Sequence, residues 1–207
     1  MGLAPYSNRL EELKVLAVEG GRLPSVSFKA RGEKTVLVGV LMRRFRVVDL
    51  SWRLIEIDGL DATEKAIEIA SDLPSPDLIM LGSVTCAGFN ILNPFKLNEK
   101  LGVPVIVVVK EKPNNEAVYS ALIKHFPDWK ERWRVFEELA EKAPIRHVKV
   151  EEGNPVYLEA ISISGEEAEK TIKAFLKWGR LPEPLRVAEI IAKGASRSLF
   201  KTLGLHG

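Results

Sequence analysis

Several features that would place this chain in a specialised class are scarce or missing. Cys86 is the only cysteine, so the chain can form no internal disulfide, and we expect a reducing, cytoplasmic location. No apolar run approaches the length that crosses a bilayer, and residues 1–8 do not resemble a secretory signal. The histidines, His125, His147 and His206, lack metal-ligand spacing, which argues against a zinc site.

The chain also has no large excess of positive or negative charge. The chain carries 30 Lys and Arg against 28 Asp and Glu, a net charge of +2 that permits nucleic-acid binding without arguing for it. No glycine-rich loop of the P-loop or dinucleotide type is present. The 207 residues are 46% hydrophobic, enough for a sizeable core, and we expect one domain over 1–207 with 1–12 and 204–207 peripheral.

The spacing of apolar residues predicts an α/β fold. Alternating segments early in the chain predict an antiparallel meander, and continuous apolar runs predict strands covered on both faces. Strands and helices then alternate, so we expect a parallel portion in an open mixed sheet of five main strands with helices on both faces. Strands are predicted at 13–18, 35–42, 45–49, 53–57, 78–81 and 103–109, with a hairpin from 146–150 and 156–161. Helices are predicted at 62–73, 94–101, 115–126, 128–142, 166–178 and 185–203.

Five motifs along the chain carry a family resemblance. They are Val18-Glu19-Gly20-Gly21, Asp58-Gly59-Leu60-Asp61-Ala62-Thr63, the segment 76–83 with Gly88-Phe89-Asn90, the apolar strand at 103–109, and the segment 182–189 that begins Pro-Glu-Pro-Leu-Arg. In this order, from Leu13 to about Phe200, they resemble the archaeal endonuclease dU-like family, relatives of endonuclease V. The resemblance implies a ribonuclease H-like fold and a Mg²⁺- or Mn²⁺-dependent endonuclease. The implied substrate is deaminated or uridine-containing DNA or RNA, single-stranded or distorted.

The resemblance also assigns the acidic residues of the site. It implies Glu19, Asp58 and Asp61 as metal ligands and Glu19, Asp61 and Glu189 as the catalytic cluster, since carboxylate oxygens suit hard cations. Each has a plainer interpretation. Glu19 is then a solvent-exposed loop residue, Asp61 or Thr63 caps the following helix, and Glu189 forms an i, i+4 ion pair with Lys193.

Four positions of the cluster, 19, 20, 82 and 189, depart from the family pattern, and at position 20 a glycine stands where the family has Asp. Glu19 stands where the family has Asp, which lengthens the side chain by one methylene and predicts a displaced metal. Gly82 stands where the family has Asp, and glycine cannot ligate a metal. Glu189 replaces a histidine, so a carboxylate stands where the family has a group that titrates near neutral pH. Asp77 lies at the other end of the strand and cannot substitute for the missing carboxylate.

The remaining candidate residues point to nucleic acid. The resemblance implies contacts from Phe89, Asn90, Arg186, Lys193, Arg43 and Arg44. For Phe89 the alternatives are stacking on a base and packing in the core. For the basic residues the alternatives are contacts with phosphates and simple exposure to solvent on the protein surface. Trp129 and Trp133, spaced i, i+4, are expected to pack a helix.

Two functions are therefore compatible with the sequence. The first is a Mg²⁺-dependent endonuclease with a partly degenerate carboxylate cluster. The second is a non-catalytic nucleic-acid-binding or interaction protein on a nuclease scaffold. Convergence of the carboxylates of Glu19, Asp61 and Glu189 would favour the first.

Overall fold

The computed structural model describes residues 10, 12–24, 33–150 and 155–204 of the chain. The predicted turn at 152–155 lies outside the described residues except for Pro155. The strands are β1 (Lys14–Gly20), β2 (Lys34–Arg43), β3 (Arg46–Glu56), β4 (Leu78–Leu81), β5 (Thr85–Cys86), β6 (Asn90–Ile91), β7 (Val105–Val109), β8 (Arg146–Val148) and β9 (Val156–Ile161). The helices are α1 (Ala62–Asp72), α2 (Pro94–Leu101), α3 (Asn115–His125), α4 (Trp129–Lys142), α5 (Gly165–Phe175) and α6 (Glu183–Thr202).

The main sheet is mixed, as the sequence predicts. Within the described residues it has seven strands in the order β3-β2-β1-β4-β7-β9-β8. β1, β2 and β3 form the predicted antiparallel meander. β4 pairs in parallel with β1 on one side and β7 on the other, which confirms the parallel portion. β8 and β9 form the predicted hairpin and join the same sheet through β7, so the expectation of five main strands is too low.

One local prediction is wrong, and one small hairpin was not predicted. The segments 45–49 and 53–57 are not separate strands, because β3 runs unbroken along β2 and absorbs an irregularity opposite Leu41 and Met42. Leu50-Ser51-Trp52 contains neither glycine nor proline, the residues that interrupt a strand most strongly. The small hairpin of β5 and β6 was not predicted, since two-residue strands leave no alternation to read.

Helices cover both faces of the sheet, as predicted. Leu16 and Val18 of β1 face one layer, which includes apolar side chains of α1, α2 and α4. Val15 and Ala17, which alternate with them, face the other layer, which includes side chains of α5 and α6. This alternation follows from the two-residue period of a strand. None of the helices in the described parts of the chain is long and apolar enough to span a membrane.

The parallel strands determine where a site can form. Because β1, β4 and β7 run the same way, their carboxyl ends meet at one edge of the sheet. Glu19 lies at the end of β1, Gly82 follows β4 and Lys110 follows β7. Open α/β sheets bind ligands at this edge.

Candidate functional site at the strand ends

Glu19 and Gly82 share one space at the strand ends. Val18 pairs with Leu81 in the parallel register, so the next residue of each strand lies side by side. A β-carbon at position 82 would overlap Oε1 of Glu19 and lie 2.6 Å from its Cδ. The longer side chain of Glu19 therefore carries its carboxylate into the volume that a side chain at position 82 would fill. The sequence indicated only that this carboxylate would be displaced, not where it would lie.

The surroundings of Glu19 disfavour its charge. Burial and, to a smaller extent, the neighbouring charge of Glu189 together raise the pKa of Glu19 to about 8, although the charges of Lys110 and Lys193 oppose the shift. Near neutral pH the carboxyl group is thus largely protonated when no cation is present. Two carboxylates close enough to disturb each other in a shielded space are the condition under which a pKa rises this far.

Glu189 joins this group from α6. Its Oε1 accepts a hydrogen bond from Lys193 Nζ at 2.6 Å, and its Oε2 lies 3.6 Å from Lys110 Nζ. Burial would raise the pKa of Glu189, but the hydrogen bond from Lys193 and the charges of Lys110 and Lys193 hold it below its usual range. The plainer interpretation of Glu189, an i, i+4 ion pair with Lys193, is confirmed, and the same carboxylate also faces Glu19.

Lys110 is a site residue that the sequence reasoning missed. It follows the buried strand β7, next to β4 in the sheet. A signal was present, because a charged residue directly after an apolar parallel strand lies at the same edge as Glu19 and Gly82. Lys110 and Lys193 give the strand ends two cations beside the two carboxylates.

Asp58 and Asp61 both hold the loop that carries Phe89. Oδ1 of Asp58 accepts a hydrogen bond from the backbone N–H of Phe89 at 2.9 Å, and Asp58 itself has a φ of 60°. Oδ1 of Asp61 accepts from Asn90 Nδ2 at 2.6 Å and from the backbone N–H of Glu56 at 3.2 Å. Their role as metal ligands remains a prediction.

The interpretation of Asp61 or Thr63 as a side-chain cap of α1 is wrong. Asp61 stands at the N-cap position, but its side chain makes no capping hydrogen bond. The hydroxyl of Thr63 instead donates to Ile91 O and accepts from Asn93 N. Asn90 takes over the capping role from outside the helix, because its Oδ1 accepts from Ala62 N at 3.0 Å.

Asn90 therefore cannot contact nucleic acid as predicted. Its side chain is fully buried, and its amide donates to Glu56 O and Asp61 while accepting from Ala62 N. Phe89 is half-buried, and its ring packs edge-on against Phe126 at 5.3 Å between centroids. The packing interpretation of Phe89 describes this conformation.

Arg132 of α4 is the second residue that the sequence did not reveal. It is buried, and its guanidinium donates to Asp58 O at 2.9 Å, Gly59 O at 2.9 Å and Phe89 O at 2.7 Å. Asp128 pairs with the same guanidinium at 2.8 Å. Arg132 thus fastens the Asp-Gly-Leu-Asp segment to the β5–β6 hairpin.

The expected packing of Trp129 and Trp133 is confirmed, since both rings contact Tyr119 of α3.

The predicted basic contacts lie on two surfaces. Lys193 belongs to the strand-end group, by which we mean Glu19, Lys110, Glu189 and Lys193. Arg186 instead binds Glu183 through Nε at 2.8 Å and lies over the ring of Trp178. Arg43 and Arg44 lie at the turn between β2 and β3, as the sequence predicts, and Arg44 adopts a φ of 52°. Arg44 lies over the ring of Phe45, 5.7 Å from its centroid.

A cavity of about 220 Å³ opens beside the strand-end group. It begins at Ser83, directly after Gly82, and its walls include Val84, Val109 and Phe136. Glu159 of β9 and Asn114 supply polar groups to the same walls. Burial raises the pKa of Glu159 to about 7, so its carboxyl can both donate and accept hydrogen bonds near neutral pH. A planar polar ring would find both stacking surface and hydrogen-bonding partners here.

Comparison with known proteins decides the family. The family model described as endonuclease dU matches residues 11–196. The chain belongs to the endonuclease dU family. A relative in Thermococcus gammatolerans, the UPF0215 protein, is 41% identical over 184 residues, which cover 87% of this chain and 91% of the relative.

Solved structures confirm the fold. A protein of unknown function from Archaeoglobus fulgidus matches with a TM-score of 0.74 at 25% identity and covers 87% of this chain and 96% of its own. Endonuclease V from Ciona intestinalis, solved with DNA that contains an inosine, matches with a TM-score of 0.58 at 13% identity and covers 92% and 86%. The predicted endonuclease V-like, ribonuclease H-like α/β fold is thereby confirmed.

This endonuclease dU family member has fewer candidate metal ligands at the strand ends than would surround a metal ion with protein side chains alone. Among the described residues, no group of three or more His, Cys, Asp and Glu side chains is placed to hold a metal ion. Glu19 and Glu189 still bring two carboxyl groups near the strand ends, and the charge of Glu189 acts on the pKa of Glu19. Mg²⁺ commonly binds through one or two carboxylates and completes its shell with water and substrate phosphate. The donor set fits a two-carboxylate site of that kind.

Proposed function

We propose that this protein is a nucleic-acid endonuclease whose strand-end group binds the scissile phosphate. The observation that carries the proposal is the position of the Glu19 carboxylate, which occupies the space of a side chain at position 82. The departure at position 19 therefore offsets the departure at position 82. The strand ends keep one central carboxylate, reached from β1 instead of from β4.

The four charged groups at the strand ends suit a phosphodiester. Lys110 and Lys193 would hold the phosphate oxygens, and Glu19 and Glu189 would hold a Mg²⁺ or Mn²⁺ ion that arrives with the substrate. When bound, such an ion neutralises phosphate charge and promotes ionisation of the attacking water. Glu19 would lose its proton to solvent when such a cation binds, because a nearby positive charge favours the ionised carboxylate.

The cavity beside Ser83 supports a substrate that is recognised through one of its nucleic-acid bases. A base turned out of a strand needs apolar walls for stacking and polar groups for its hydrogen-bonding edge. Phe136, Val84 and Val109 supply the walls, and Glu159 with Asn114 supplies the polar groups. Deaminated and uridine-containing strands are the proposed substrates, in keeping with the inosine-containing DNA in the endonuclease V structure.

One observation favours the second function, a non-catalytic nucleic-acid-binding protein. Asp58 and Asp61 each accept a hydrogen bond from the loop at 86–90, and no group of three ligands is present in the described parts of the chain. If the two-carboxylate site is too weak to hold a cation, the lysines still bind phosphate without hydrolysis.

A cleavage assay separates the two functions. Labelled DNA and RNA strands that contain one uridine or inosine are incubated with the protein and Mg²⁺ or Mn²⁺, with a chelator as the blank. We expect cleavage that chelation abolishes and that Glu19→Gln reduces by about 100-fold. Glu99→Gln, an exposed change on α2, is the matched control. Tight binding without cleavage would establish the second function, and absence of both would overturn the proposal.

A further inference from the structure

A second cavity lies away from the strand-end group. It has a volume of about 590 Å³ and lies between the end of β8 and the junction of α5 with α6. We call it the Trp178 cleft; the described residues of its walls are Lys149, Val150, Lys173, Leu176, Lys177, Trp178 and Gly179. Among these described residues, three side chains are ammonium groups and none is a carboxylate. Lys173 has an acidic partner on its own helix, Glu169, at 2.7 Å.

Trp178 presents an aromatic surface to this cleft. Its side chain is exposed at 63%, more than any other large hydrophobic residue of the described chain. Lys177 and Arg186 lie 5.6 Å and 5.7 Å from its ring centroid. Lys177 also lies 5.4 Å from the ring of Phe45 at the β2–β3 turn, so cations and rings alternate along this surface. These contacts hold the indole in position while leaving much of it open to solvent.

The Trp178 cleft connects to the strand-end group through α6. Arg186 contacts Trp178, and Glu189 of the strand-end group follows it at i+3. Residues at this spacing are neighbours on a helix surface, with about 5–6 Å between their β-carbons. A strand bound near Glu189 can therefore continue past Arg186, which is paired with Glu183, to the lysines around Trp178.

We propose that the Trp178 cleft binds a single-stranded segment of nucleic acid that extends from the strand held at Glu19 and Glu189. The lysines bind phosphates, and Trp178 stacks on a base. This inference rests on the proposed function for the direction of the strand, but not for the binding itself. An exposed ring among ammonium groups favours single strands, because bases in a duplex already stack on each other and acidic peptides offer few planar groups.

Binding of labelled oligothymidylate and oligouridylate by the full-length protein tests this inference. Fluorescence anisotropy is measured at several salt concentrations for short and long strands. We expect Trp178→Ala to weaken the affinity for long strands by about fivefold or more, with Trp178→Phe restoring most of it. Lys149→Ala with Lys177→Ala should reduce the slope of log affinity against log salt by about 0.7 for each lysine.

Two exposed residues elsewhere provide matched controls. Trp52→Ala on β3 removes an indole that is exposed at 53%, and Lys124→Ala on α3 removes an exposed ammonium group. Both should leave affinity and salt slope unchanged. If Trp178→Ala behaves like Trp52→Ala while its thermal melt matches the natural protein, the inference is overturned. Competition by polyglutamate as strong as that by oligothymidylate would overturn it too.

The outcomes also separate this inference from the proposed function. If the natural protein cleaves no strand but Trp178→Ala still weakens binding, the cleft stands and the endonuclease proposal fails. If the protein cleaves and Trp178→Ala changes neither the affinity nor the KM for long strands, the cleft fails and the endonuclease proposal stands. We expect Trp178→Ala to raise the KM for long strands.

Discussion

The shared space of Glu19 and Gly82 predicts that substitutions at these positions are coupled. Gly82 is not among the residues with a positive φ, so alanine suits its backbone, and an ordinary Gly→Ala change would stabilise by about 0.4–1 kcal/mol. At position 82 the new β-carbon would overlap Oε1 of Glu19. The carboxylate is the end of a flexible side chain, so we expect a destabilisation of about 1–2 kcal/mol, the lower part of the range for overpacking.

Glu19→Asp should remove most of that cost. The shorter side chain withdraws the carboxylate, so Gly82→Ala in the Glu19→Asp background should cost less than about 0.5 kcal/mol, a coupling of about 1 kcal/mol. Chemical denaturation of the four proteins at one pH measures it. Gly194→Ala on α6 is the control, because nothing lies within 4 Å of its added β-carbon, and it should stabilise. An equal cost of Gly82→Ala in both backgrounds would refute the reasoning.

Three further predictions concern the same region. The pKa of Glu19 is about 8 in the folded protein against 4.5 when unperturbed, so between these pH values the folded state binds a proton that the unfolded state has lost. The free energy of unfolding should therefore fall by up to about 4 kcal/mol as the pH rises from about 4.5 to 8. Glu19→Gln should flatten this dependence in denaturation curves measured over the same pH range. Arg132→Ala should destabilise by more than about 2 kcal/mol, since three carbonyls lose their donor, whereas exposed Arg134→Ala should change the unfolding free energy by less than about 0.5 kcal/mol. The triple variant Glu19→Asp, Gly82→Asp and Glu189→His should melt lower than the natural protein without metal and gain more from Mg²⁺; equal Mg²⁺ shifts in thermal melts would show that the three positions share no site.

The parallel core of the sheet could be predicted from sequence because its strands are uniformly apolar. Leu78–Leu81 and the run ending at Val109 have no polar face, which is typical of strands covered on both sides. The five motifs, which occur in the expected order along the chain, then allowed the family to be predicted. Both signals are local, and so they can be read from neighbouring residues.

The strand-end group could be predicted only in part, because its contacts depend on register between distant segments. That Glu19 fills the space beside Gly82 follows from the pairing of Val18 with Leu81, which no local pattern encodes. Arg132 looked like any charged residue of an amphipathic helix, yet it is buried because backbone carbonyls of two other segments converge on it. Asn90 was misassigned for the same reason, since its partners lie about 30 residues away.

The central claim is that Glu19 and Glu189 together bind the proposed divalent cation at the strand ends. Anomalous diffraction from crystals soaked in Mn²⁺ tests it most directly, with Glu19→Gln crystals as the control. We expect one strong peak in contact with carboxylate oxygens of both residues, near Gly82, and none in the variant. A peak bound by Asp58 or Asp61 without Glu19, or no peak at the strand ends at saturating Mn²⁺, would contradict the account.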